Sequence, residues 1–148
     1  MLGRKIYGEV RLVLRDDPAV IKESYADYAD AGFDFTKLKF VEGQSPTVFT
    51  VRPMTYRQKM AFEEKANIVQ KIEFAVRCGL VAVSNFTIEK ADGTRMEPPP
   101  IKHIDQPPYG LMVAQEWLEG AGIQTAYLVE IGTAIISITE VPLKVGEQ

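Results

Sequence analysis

The sequence predicts an α+β protein in which short β-strands and hairpins at the N-terminal side pack with a long central helix and two C-terminal helices. Three observations carry this. Apolar and charged side chains alternate over residues 5–15. Apolar residues recur at helical spacing over 55–78 behind a capping signature, and Asp92-Gly93 stands between two β-capable runs.

The 148 residues, 46% hydrophobic and 25% charged, are enough to bury a core without disulfides and match one globular domain over 1–148. Within it the pattern separates a β-rich part with one short helix (1–53), a central helix and hairpin (54–97), a proline-rich connector (98–108) and a helical part (109–142).

In the first stretch Ile6, Val10, Leu12 and Leu14 face one way and Tyr7, Glu9, Arg11 and Arg15 the other, which predicts a half-buried strand. Asp17-Pro18 reads as a helix start, with Ile21, Tyr25 and Tyr28 at helical spacing and Gly32 as the stop. Residues 36–41 and 47–51 then read as a hairpin around Glu42-Gly43-Gln44-Ser45-Pro46. Leu38, Phe40, Phe49 and Val51 face the core, and Pro53 ends the second strand.

Thr55 and Gln58 form a capping-box pattern, in which each side chain satisfies a backbone donor at a helix start. The helix behind it places Ala61, Phe62, Lys65, Ile68, Val69, Ile72, Ala75, Val76 and Cys78 mostly on one face. Lys59 with Glu63 and Glu73 with Arg77 are four-apart ion pairs on the other, and Gly79 is the terminator. Residues 80–83 are open between a last helical turn and a strand. Residues 86–90 and 94–97 make a hairpin about Asp92-Gly93, and five prolines break regular structure over 98–108. Leu111, Ala114 and Leu118 predict a helix over 109–119. Residues 124–140 favour a second one, through Tyr127, Leu128, Ile131, Ile135 and Ile138, although the β-branched run 133–141 is also compatible with a strand. Pro142 stops it either way, and the last residues are expected to fray.

A net charge of −3 and a pI near 5.3, with basic residues scattered among acids, argue against a nucleic-acid partner, whose phosphates need clustered Lys and Arg. One cysteine excludes an internal disulfide, and residues 1–10 lack the apolar core of a signal peptide. The longest apolar run, 80–83, falls far short of the roughly 20 residues of a membrane span. A soluble protein made in the cytosol, with no membrane partner, is the expectation.

Chemistry-bearing residues are sparse. His103 lies in the proline-rich loop without a second His or Cys nearby, which predicts an exposed loop histidine. Cys78 sits at a helix C-terminus, where the dipole disfavours a thiolate, so packing is its expected role. Asp27, Asp30 and Asp34 lack the ligand alternation and central glycine of a calcium loop, and the adjacent Glu63 and Glu64 point apart. Nucleotide-cradle and hydrolase-elbow motifs are missing. The expectation is therefore a binding or assembly protein, with no catalytic, metal or cofactor site. Tyr109, Met112 and Trp117 are the candidate contact surface, with core packing as the competing reading.

The run Ser45-Pro46-Thr47-Val48-Phe49-Thr50-Val51-Arg52-Pro53-Met54-Thr55, a long helix, then Ala75-Val76-Arg77-Cys78-Gly79-Leu80-Val81 and Asn85-Phe86, resembles the tail assembly chaperones of long-tailed bacteriophages. The pattern from Tyr127 to Thr139 looks like the end of that family's helical region, so the resemblance spans roughly residues 38–139 in short, degenerate pieces. It implies a non-enzymatic protein in the host cytoplasm that keeps the tape-measure protein soluble while tail-tube subunits polymerise around it. Self-association is a further expectation. The alternative, motivated by the two predicted hairpins and the connector, is a structural virion protein: a tail-tube, head-tail connector or capsid-decorating subunit.

Overall fold

A computed structural model shows how the alternating N-terminal stretch divides. The structure describes residues 8–139 in full and the backbone of 4, 5, 141 and 142. Two short strands, β1 (Arg4–Lys5) and β2 (Val10–Leu12), stand where one was expected, and Ile6 and Tyr7 lie outside the described residues. Val10, Leu12 and Leu14 are buried while Arg11 and Arg15 are exposed, as the alternation requires.

The helix expected at Pro18 begins later. Asp17 turns its carboxylate onto the Ala19 amide (2.9 Å), which holds the chain in a turn through Pro18 instead of starting a helix. A 3-10 turn (Lys22–Ser24) leads into α1 (Tyr25–Asp30), whose buried Tyr25 and Tyr28 form a small core with Val13, Val20 and Leu38.

The expected hairpin over 36–51 does not form. Asp34 accepts from Thr36 and caps a second 3-10 turn (Phe35–Lys37), so only Phe40 makes a bridge, to Val20. Leu38, Phe49 and Val51 are buried as expected, Phe40 only half-buried. The second run becomes β3 (Val48–Val51), the middle strand of an antiparallel sheet between β2 and β4 (Leu80–Ser84). Its partners are distant in sequence, Leu12 opposite Phe49 and Phe49 opposite Val83.

The long central helix is two. The capping box at Thr55 opens α2 (Tyr56–Glu63). After a short break Asn67 caps α3 (Ile68–Gly79), its Oδ1 accepting from the Gln70 amide at 2.9 Å while the Gln70 side chain accepts from Ala66. The Lys59–Glu63 pair forms. Arg77, expected to pair with Glu73, instead donates to Val113 O (2.9 Å) and Gln106 Oε1 (2.6 Å).

Gly79 ends α3, but close packing is its reason. A Cβ there would lie 2.6 Å from the Ile135 side chain and 2.8 Å from Arg52 O. The chain runs straight from it into β4, which resolves residues 80–83 as strand.

The hairpin about Asp92-Gly93 stands as expected, between β5 (Ile88–Glu89) and β6 (Arg95–Met96). Gly93 takes φ +85° and Asp92 accepts from Thr94. The connector is not devoid of regular structure. It contributes β7 (His103–Asp105), which pairs with β8 (Leu111–Val113) across a turn that includes the cis Pro107–Pro108 bond. The helix expected over 109–119 is thereby reduced to α4 (Gln115–Gly120), because the β8 backbone is committed to the ladder with β7.

Residues Thr125–Thr139 are helical (α5), and Val141–Pro142 forms β9 against β1. The last residues lie outside the described ones. Ile131, Ile135 and Ile138 are buried, and Tyr127 and Leu128 half-buried, on the face that α5 lays against α3. The main core is therefore a layer of α3 and α5 against the sheet, closed at one side by β7, β8 and α4.

Candidate interaction surface

Of the three residues singled out for partner contact, two are buried and one is half-buried. Met112 is 1% exposed and Trp117 7%. The Trp117 indole donates to Pro99 O at 2.8 Å. Tyr109 is half-buried, its ring edge-on to Phe74 at 5.6 Å, and its carbonyl accepts from Gln58 Nε2 at 2.9 Å. Gln58 is itself 2% exposed, so one amide both closes the capping box of α2 and ties that helix to the β7–β8 turn. The buried indole of Trp117 finds a backbone acceptor, as a core tryptophan must.

His103 is likewise not an exposed loop residue. It is half-buried in β7, with Nε2 3.0 Å from Leu80 O. Cys78 is fully buried, and burial pushes its thiol up to about 12, so no thiolate is available at neutral pH. Asp34 is held below the usual carboxylate range by its bonds to Thr36, the signature of a turn cap. Among the described residues no three His, Cys, Asp or Glu side chains gather where they could hold a metal ion.

A cleft of about 730 Å³ opens at the end of the sheet between the 16–19 turn, the β5–β6 hairpin and the start of α5. Part of its polar lining is bonded within the chain. Asp17 accepts from the Thr47 amide (2.8 Å), Thr47 donates to Asn85 O (2.7 Å), and Asn85, at φ +57°, donates back to Ser45 O and Pro46 O. This network fixes the strand ends.

Compared with known families, curated proteins and solved structures, the chain matches none.

What the surface does present is apolar. On α2, Tyr56 and Met60 are one turn apart and 79% and 47% exposed. At the first turn of α3, Ile68 and Val69 are 66% and 71% exposed. The sequence pattern had put Ile68 and Val69 on the buried face, but α3 is inward-facing only from Ile72 onward. Burying one such side chain contributes about 1.5–3 kcal/mol. The fold leaves that contribution unused at these four positions of α2 and α3. The signal that could have found them is Asn67-Ile-Val-Gln70, a second capping pattern that marks a helix start and so breaks the apolar face in two.

Proposed function

We propose that this chain is a non-enzymatic assembly protein that covers apolar helical surface of a partner, and specifically a tail assembly chaperone for a phage tape-measure protein. The observation that carries the binding role is the exposed apolar set Tyr56, Met60, Ile68 and Val69 on α2 and α3. Large apolar side chains exposed on helices are suited to protein-protein contact, and an amphipathic helix of the partner is the complementary shape. The phage assignment rests on the resemblance of residues 45–55, 75–81 and 85–86, which here are β3, the α3–β4 junction and the turn that locks their ends.

Ile68→Asp with Val69→Asp tests this without harming the fold. Both positions are solvent-facing and open a helix, where carboxylates are favoured by the dipole. The double variant is expected to melt within about 1 kcal/mol of the parent. Co-expression of the parent chain with the tape-measure protein of its phage should raise that protein's soluble yield several-fold, and the variant should lose the effect. No effect of the parent, together with its presence in purified particles, would favour the structural-subunit reading instead.

A further inference from the structure

The two edges of the three-stranded sheet are treated differently. On the β2 side the backbone is sealed by tyrosines. The Tyr28 hydroxyl donates to Arg11 O (2.7 Å) and accepts from the Val13 amide (2.9 Å), and the Tyr25 hydroxyl donates to Val13 O (3.0 Å). On the β4 side, among the described residues, only the first carbonyl, Leu80 O, meets a side chain, that of His103. Among the described residues β4 pairs with β3 and with no second strand.

Beyond Leu80 a groove of about 430 Å³ follows residues 81–84. Its opposite wall is residues 98–101, anchored by the bond from Trp117 to Pro99 O. That wall cannot close onto β4 as a strand, because Pro98, Pro99 and Pro100 have no amide hydrogens to donate. Prolines thus keep open a slot beside unpaired strand backbone. Glu97 is the one acidic residue among those lining the groove, and no Lys or Arg stands with it.

We propose that this groove is a second binding site, which takes an extended segment of a partner protein as an added strand along β4. Unpaired N–H and C=O groups at a strand edge are matched by another extended backbone. The exposed Ala82 and Ser84 leave the outer sheet face open to side chains of either shape. Glu97 selects a segment with a basic residue near one end. The site uses none of the α2–α3 residues, so it stands or falls separately from the chaperone reading.

The probe is a pool of peptides about seven residues long, alternating Val, Ile or Thr with polar residues and carrying one Lys at either end, titrated against the full chain. Trp117, the single tryptophan, reports from the groove. Saturable binding with a change in its emission is expected for part of the pool. N-methylating alternate amides of a binder should abolish binding in one register and spare it in the other. Glu97→Lys, at an exposed position, should weaken Lys-bearing binders about fivefold and favour Glu-bearing ones. Ile68→Asp with Val69→Asp should leave peptide affinity unchanged. No saturable binding by any member, equal loss in both N-methyl registers, or indifference to Glu97→Lys overturns the proposal. So does a doubled solution mass with the groove closed to peptide, since a second copy would then occupy β4.

Discussion

At Gly79 two effects of opposite sign meet. Alanine is the better helix former by about 1 kcal/mol, so Gly79→Ala should stabilise α3 if space allowed. Space does not allow it, because the added methyl meets not only the Ile135 side chain at 2.6 Å but the Arg52 carbonyl at 2.8 Å, and backbone cannot swing aside. Overpacking of this kind costs about 1–3 kcal/mol, and the net result expected in urea denaturation is a loss of stability. The tyrosines at the β2 edge make a different residue-scale prediction. Burial raises Tyr28 to about 12, and burial together with the Glu130 carboxylate raises Tyr25 still further above the ordinary 10. A hydroxyl whose folded pKa is raised contributes stability that is complete below pH 10 and is lost as pH climbs through the folded value. Spectrophotometric titration should therefore show two of the six tyrosines silent at pH 10 and ionising only as the protein unfolds. Two tyrosines that titrate freely at pH 10 would mean that the β2 edge is open.

At the scale of elements, the cap of α3 is the joint between the buried helix and the exposed corner. Asn67→Ala removes the acceptor for the Gln70 amide and should cost about 1 kcal/mol, read as a lower denaturation midpoint at unchanged slope. It should also fray the turn that displays Ile68 and Val69. What was legible in the sequence follows the reach of the signal. The Thr55–Gln58 box and the Asp92-Gly93 turn are written within four residues, and both form as read. α5 was legible because its apolar face persists for four turns, long enough to outweigh the β-branched residues within it. The pairing of β3 was not, because a strand carries no label for its partner. The short loop 42–46 suggested the preceding run, whereas Phe49 is buried only by lying between Leu12 and Val83. β7 was hidden by its prolines, which flank the strand without entering it. The burial of Met112 and Trp117 was hidden for a related reason. Aromatics and methionine are favoured both in cores and in interfaces, and sequence alone does not say which of two apolar helix faces the rest of the chain will cover.

For the whole molecule, the unifying fact is that late residues complete early structure. The Met54 amide donates to Thr139 Oγ1, 85 positions away, and the Arg15 amide to Glu130 Oε2, 115 away. Glu130 also meets the Tyr25 hydroxyl at 3.3 Å, so α5 is tied both to the sheet and to the small tyrosine core. α3 has its most extensive packing against α5, and Gly132 lets the two helices approach until its missing Cβ would sit 3.0 Å from Ile72. This arrangement makes synthesis order matter. Until the segment that becomes α5 has left the ribosome, the inner faces of α3 and the sheet have nothing to bury against, and contacts of such sequence separation close slowly. The core is therefore expected to close only after α5 has been translated, and until then the chain exposes the same kind of apolar surface that the folded form keeps on α2 and α3.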